Sequence, residues 1–207
     1  LLGHPSDEVQ LYALDKIEEF KIPGMKAKLK AYMENPETDL ELKGAAIQAY
    51  CQIDESAVEQ INPYPESEIP QVRKGAITGL VKNGGLEAVV LAGQQLLYLI
   101  QSENVKDKSI AAGIMKDLKV TNFYKPIIEF FNHDNINLKR AAIEAAGEVK
   151  NPKFVTYLIR YLDDHYLHEP ATQALMKFGD GALEAFKKEI DRYESLDKNL
   201  IFSFCEI

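Results

Sequence analysis

The ten residues 138–147, Leu-Lys-Arg-Ala-Ala-Ile-Glu-Ala-Ala-Gly, constrain the fold more than any other stretch, because their pattern returns along the whole chain. Each copy opens on a branched apolar residue and favours a polar residue at offset +1, a small one at +4, an apolar one at +5 and a small one at +7. On an α-helix these offsets gather the apolar and small side chains on one broad face. The opening residues are Val9, Leu42, Val72, Val105, Leu138, Leu167 and Leu196, spaced 33, 30, 33, 33, 29 and 29 residues apart. Repetition at about 30 residues is the signature of a solenoid, in which each helical hairpin buries its apolar face only by stacking on its neighbours.

The small residues have a steric meaning. Ala13, Ala46, Ala76, Ser109, Ala142 and Ala171 at +4, with Ala49, Gly79, Ala112, Ala145 and Ala174 at +7, let neighbouring helix backbones approach closely enough to stack in layers. A globular bundle of alanine-rich helices has no need of one register repeated from copy to copy.

Capping and turn signals place the helices. Ser6 caps a first motif helix over 6–19, and a companion follows over about 25–34 until Asn35-Pro36 closes it. Asp39 caps the second motif helix. Its companion, 55–61, is cut short by Pro63, Pro65 and Pro70, each of which removes a backbone donor and discourages helix before it. Copy three is expected over 71–82, stopped by Asn83-Gly84-Gly85, with the longest companion over 86–101. Copy four opens at Ser102 with a companion over about 122–132. Copy five spans 135–149, with a companion from Asn151-Pro152. Copy six starts near His168, because Pro170 belongs in a first helical turn, and the last complete companion spans 182–193.

The stretch 62–70 is therefore one irregular joint in a single solenoid over 1–207, and the stack between copies two and three is expected to be weakest there and to open. The chain opens on Leu1, and its last helix, with Leu200, Ile201, Phe202, Phe204 and Ile207, is the least polar. The expectation is a fragment of a longer polypeptide whose further residues cover that helix.

Charge and cysteine usage exclude several classes of function. A net charge of −8 gives a field that repels phosphate backbones, so no nucleic-acid partner is expected. Cys51 and Cys205 are the only cysteines, whereas a secreted domain of this size more often carries a framework of several, so a cytoplasmic setting is expected. The most apolar stretch, 86–100, is interrupted by Glu87, Gly93, Gln94 and Gln95, which excludes direct membrane insertion of this segment, although a parent protein could be membrane-tethered.

The pattern Val/Leu-Lys/Arg-x-x-Ala-x-x-Ala, preceded by Asp, Asn or Ser at −3, resembles the second helix of HEAT repeats. Val72-Arg73-Lys74-Gly75-Ala76 and Leu138-Lys139-Arg140-Ala141-Ala142 carry the resemblance best, and it runs from about Ser6 to Ile207. Short hairpins with turns such as Gly179-Asp180 and Asn151-Pro152 look most like the HEAT-like subfamily of phycobilin lyases. The resemblance implies an all-α, right-handed α-α superhelix of about six and a half hairpins. It further implies a concave side lined by motif helices and a convex side of companions. Basic residues at +1, here Lys43, Arg73, Lys106 and Lys139, would pair with acids in the turns; Gln10, His168 and Asp197 break that row.

His168-Glu169 resembles the His-Glu pairs with which deoxyhypusine hydroxylase, another HEAT-like protein, holds iron, but the matching positions are Lys43-Gly44, Arg73-Lys74, Lys106-Asp107 and Lys139-Arg140, so no metal cage closes. His165 and His168 with Asp163 and Asp164 read as a solvated turn with capping acids. Cys51 reads as a packing residue. DNA-alkylation glycosylases share the repeat, yet Asp107 and Glu169 interrupt the basic residues Lys74, Arg140 and Lys198 at +2. Tyrosines and phenylalanines, 10 and 9 in number, fall mostly at companion core positions.

The expected function is a non-enzymatic scaffold, without cofactor, metal or catalytic residue, that binds a partner protein or an adjacent domain of the same polypeptide along the motif-helix face. Offsets +2 and +6 supply the candidate contacts: Gln48, Lys74, Thr78, Asp107, Arg140, Glu144, Glu169 and Gln173. The alternative is a lyase-like or chaperone-like subunit of an enzyme assembly, of the bilin lyase type.

Overall fold

The computed structural model describes residues 1–53 and 57–183. Among these residues the chain is all-α, with helices joined by short 3-10 turns and no strand. They fall into two compact units, Leu1–Ser102 and Glu103–Ile207.

The first unit contains α1 (Asp7–Phe20), α2 (Lys26–Glu34), α3 (Leu40–Ile53), the short α4 (Ala57–Ile61), α5 (Pro70–Asn83) and α6 (Leu86–Gln101). The motif helices form one layer, α3 lying between α1 and α5, while α2 packs on α3 and α6 on α5. Asp39 caps α3 as its side chain suggests, its Oδ1 accepting from the amides of Glu41 at 2.8 Å and Leu42 at 3.4 Å. Ser6 takes the N-cap position of α1 without a side-chain cap bond.

The second unit contains α7 (Val105–Leu118), α8 (Tyr124–Phe131), α9 (Ile136–Val149), α10 (Val155–Arg160) and α11 (His168–Phe178). Here α9 is flanked by α7 and α11, with α8 against α9 and α10 against α11. Asn135 caps α9 through two amides, and Asn104, not Ser102, caps α7. The capping carbonyl of Asn104 sits two residues before the amide of Lys106, the spacing an Asx cap requires, which Ser102 is too far upstream to provide. Three motif helices end on a lysine in the left-handed region: Lys21, Lys119 and Lys150, at φ +48°, +55° and +54°. A helix resumes at residues 180–183, where Ala182 is buried; the rest of the companion expected over 182–193 and the copy opening at Leu196 lie outside the described residues.

The repeat register governs burial in both units. At +4, Ala46, Ala76, Ala142 and Ala171 are fully covered; at +5, so are Ile47, Ile77 and Ile143; at +7, Ala49, Ala112 and Ala145. Companion helices supply the bulk. Phe131, Phe154, Tyr157 and Tyr161 form one ring cluster, with Phe131 and Phe154 edge to face at 5.8 Å, and the Tyr161 hydroxyl donates to the Phe131 carbonyl at 2.6 Å.

Between copies two and three the motif helices α3 and α5 are in direct contact. The α3 and α5 backbones meet at two glycines: a Cβ on Gly75 would stand 2.1 Å from the Gly44 carbonyl oxygen, and one on Gly44 would stand 2.5 Å from that of Gln71. Direct backbone contact of the motif helices takes the place of companion burial. The joint itself is a short α4 followed by a 3-10 turn at Tyr64–Glu66, tied to α5 by the Arg73 Nε–H donating to the Pro65 carbonyl at 3.0 Å and by burial of Pro65. Gly75→Ala should therefore destabilise by about 1–3 kcal/mol in urea denaturation, although alanine is intrinsically about 1 kcal/mol the better helix former. An unchanged midpoint would refute the glycine contact.

Candidate partner-binding face

In the second unit most of the candidate side chains at +2 and +6 are open: Arg140 and Glu144 on α9 and Glu169 and Gln173 on α11 are exposed, and Asp107 on α7 is half-buried, whereas Ala111 at +6 of α7 is fully buried. The Arg140 guanidinium donates to the Tyr166 carbonyl at 3.0 Å, Lys116 of α7 pairs with Glu144 at 2.9 Å, and the Gln173 amide donates to Glu169 at 3.3 Å. These contacts step from α7 to α9 to the turn before α11, leaving the charged heads at the surface.

In the first unit the same offsets are more enclosed. Gln48 is half-buried and donates to the Glu18 carboxylate at 2.7 Å, and Lys74 is half-buried. Thr78 is fully buried, which corrects its placement among exposed contacts. It follows from the tight α3–α5 approach: a Cβ on neighbouring Gly79 would stand 2.8 Å from Cys51 Sγ and 3.1 Å from the Gln48 Cα, so no groove opens beside the +6 position. The Thr78 hydroxyl has no hydrogen-bond partner among the described residues.

Sequence reasoning missed a charge ladder further along the same edge. Glu18 of α1 accepts from Gln48 of α3 and pairs with Lys82 of α5 at 3.1 Å. In the second unit Glu148 of α9 bridges Lys119, at the end of α7, at 2.9 Å and Lys177 of α11 at 2.6 Å. The signal was present as lysines at +10 in copies three and six and at +14 in copy four, with glutamates at +9 in copy one and +10 in copy five. By contrast, among the described residues no ion pair joins Lys43, Lys106 or Lys139 to a turn acid, and Arg73 uses its guanidinium on the Pro65 carbonyl and over the Tyr98 ring. For Lys43, Lys106 and Lys139 that corrects the pairing implied by the resemblance.

The side chains weighed for chemistry have structural roles. Asp164 Oδ1 accepts from the amides of Tyr166 at 2.8 Å and Leu167 at 3.1 Å, and His168 Nδ1 lies 2.6 Å from the Leu162 carbonyl. Burial, reinforced by the Glu18 charge, pushes the Cys51 thiol up to about 12, so it stays protonated and unreactive at neutral pH. Among the described residues no helix is long and apolar enough to cross a membrane.

Hydrogen bonds from Lys177 and then Lys119 pull the Glu148 carboxyl down from 4.5 to about 2. A carboxylate depressed in the fold stabilises it above the ordinary value and loses that contribution as pH falls from 4.5 toward 2. Lys177→Met should raise the Glu148 pKa measured by carboxyl-carbon NMR and shrink the loss of stability across that window. A titration unchanged by the substitution would contradict the bridge.

No family model matches the chain, and no curated protein matches it. Two solved structures are similar at low identity. One is an engineered protein from a structural-genomics consortium, at 16% identity and TM-score 0.42, covering 86% of this chain and 96% of that one. The other is the complex of CpcE and CpcF of phycocyanin lyase from a Nostoc species, at 17% identity and TM-score 0.47, covering 99% of this chain and 90% of that one.

Proposed function

We propose that the chain is a non-enzymatic scaffold that binds a partner protein, or an adjacent domain of its own polypeptide, along the polar edge of its motif helices. The observation that carries this reading is the exposed row in the second unit, where Arg140, Glu144, Glu169 and Gln173 stand on α9 and α11 with charges of both signs. A row of mixed sign on rigid helices suits a protein surface of complementary charge better than a polyanion, and the net charge of −8 opposes the latter. Asp107 extends the row onto α7; in the first unit Gln48 and Lys74 contribute at half-buried positions, and Thr78 drops out. The two widely separated cysteines support a reducing, cytoplasmic setting.

A photo-crosslinker at Gln173 should capture a discrete protein in cells, and Arg140→Glu combined with Glu169→Lys should weaken that complex by about tenfold or more, equivalent to about 1.4 kcal/mol, at unchanged melting temperature. Capture from Lys125 on α8 with none from Gln173 would move the interface to the companion helices. Copurification of a bound chromophore would replace the scaffold reading with that of a lyase subunit.

A further inference from the structure

The +7 position of a motif helix lies against the motif helix of the preceding copy. On α5 a Cβ on Gly79 would stand 2.8 Å from Cys51 Sγ of α3, and on α11 the Cα of Ala174 would stand 3.0 Å from a Cβ on Gly147 of α9. Ala49, Ala112 and Ala145 hold the same offset and are fully buried. Position +3 lies one turn earlier on the same flank, and on α5 it is Gly75, against Gly44.

The first motif helix breaks this rule. It carries Tyr12 at +3, Lys16 at +7 and Phe20 at +11, and both rings are exposed, Tyr12 at 58% and Phe20 at 66%. Glu18, on the other flank of α1, reaches α3 through Gln48. Two rings and a lysine stem fill the space that alanine and glycine leave empty in the other copies, so a further motif helix cannot come to backbone contact on this side of α1.

The three side chains already form a site for a cation. Lys16 Nζ lies 5.4 Å from the Tyr12 ring centroid and 5.8 Å from that of Phe20, inside the distance of about 6 Å at which a ring attracts a cation. It also pairs with Asp15 at 3.4 Å and with Glu19, both exposed. From Asp7 to Phe20 the helix holds five carboxylates against the one ammonium of Lys16, a net charge of −4. Rings bordered by carboxylates attract a positively charged partner, whereas a second copy of this chain, at −8, is repelled.

We propose that this flank of α1 is a docking surface for a basic, arginine-bearing segment of a partner protein, whose guanidinium takes the place of the Lys16 ammonium between the two rings. A guanidinium can stack its planar face on an aromatic ring and still bind a carboxylate with two N–H groups, which an ammonium cannot do. Lys16 then holds the site in the free protein and yields it to the partner. The surface is separate from the +2 and +6 row of α9 and α11, and the two stand or fall independently.

The test is an NMR titration of the isotope-labelled chain, at about 150 mM salt to screen diffuse attraction, with a blocked peptide of three Ala-Ala-Arg-Leu repeats and with its glutamate counterpart. The arginine peptide should shift amides centred on α1 and give contacts from its guanidinium to the Tyr12 and Phe20 rings; the glutamate peptide should do neither. Tyr12→Ala combined with Phe20→Ala, at exposed positions, should keep the circular dichroism spectrum and weaken the peptide by about tenfold. Lys16→Ala, which frees both rings and two carboxylates, should tighten it by roughly threefold, whereas Lys30→Ala, which removes the same charge from α2, should leave it unchanged. Shifts centred away from α1, equal binding by the double variant, or equal tightening by Lys16→Ala and Lys30→Ala would overturn the proposal. So would shifts at Tyr12 and Phe20 that grow with protein concentration in the absence of peptide, which would seat a second copy on this flank.

Discussion

Close approach of parallel-layered helix backbones is the constraint on which the structure depends. Where small residues stand at +4 and +7, two motif helices come close enough for their own main chains and short side chains to fill the space between them, and branched residues at +5 fill what remains. At Gly44 and Gly75 this approach reaches its limit, with backbone against backbone. The consequence is a layer whose spacing is set by absent side-chain atoms, so that a single added carbon there acts through the most rigid part of the molecule. The companion helix α4 is described over Ala57–Ile61, and α3 and α5 meet backbone to backbone.

The same spacing determines which polar residues can work together. Motif helices in close register bring side chains of one copy within reach of the next, and Glu148 accordingly touches lysines from both neighbours of α9. Such exposed pairs contribute little stability singly; their effect is to order a charged edge on a rigid support, which is what an interaction surface needs. Closer packing also removes surface. In the first unit the glycines that tighten α3 against α5 bury Thr78, whereas on α9 the residue at the same offset, Glu144, is exposed. The exposed polar edge is therefore broader on α9 than on α5.

Much of this was legible in the amino-acid sequence, and the reasons are local. The bounds of α6 follow from Gly84-Gly85 before it and the end of its apolar run, and the start of α11 at His168 follows from Pro170 in the first turn. Asp39 and Asn135 cap the helices their side chains suggest. What the sequence did not disclose depends on neighbours. Gly44 and Gly75 look like weak helix formers until the opposing backbone is seen. The lysines that end α1, α7 and α9 take a left-handed conformation for which glycine is the usual signal, so those ends carried no local mark. Burial of Thr78 and the ladder through Glu148 are properties of helix pairs, invisible in any one copy.

The most direct test of the claim that the motif-helix layer holds each unit together is residue-resolved amide hydrogen exchange under native conditions. The account predicts the slowest exchange in the first unit across the facing segments of α3 and α5, from Ala46 to Tyr50 and from Ala76 to Leu80, and in the second across Ala142 to Gly147 of α9. The companions α2 and α8 should open at lower free energy. Slower exchange in α2 and α8 than in α3, α5 and α9 would show that the companions, and not the small-residue layer, carry the stability.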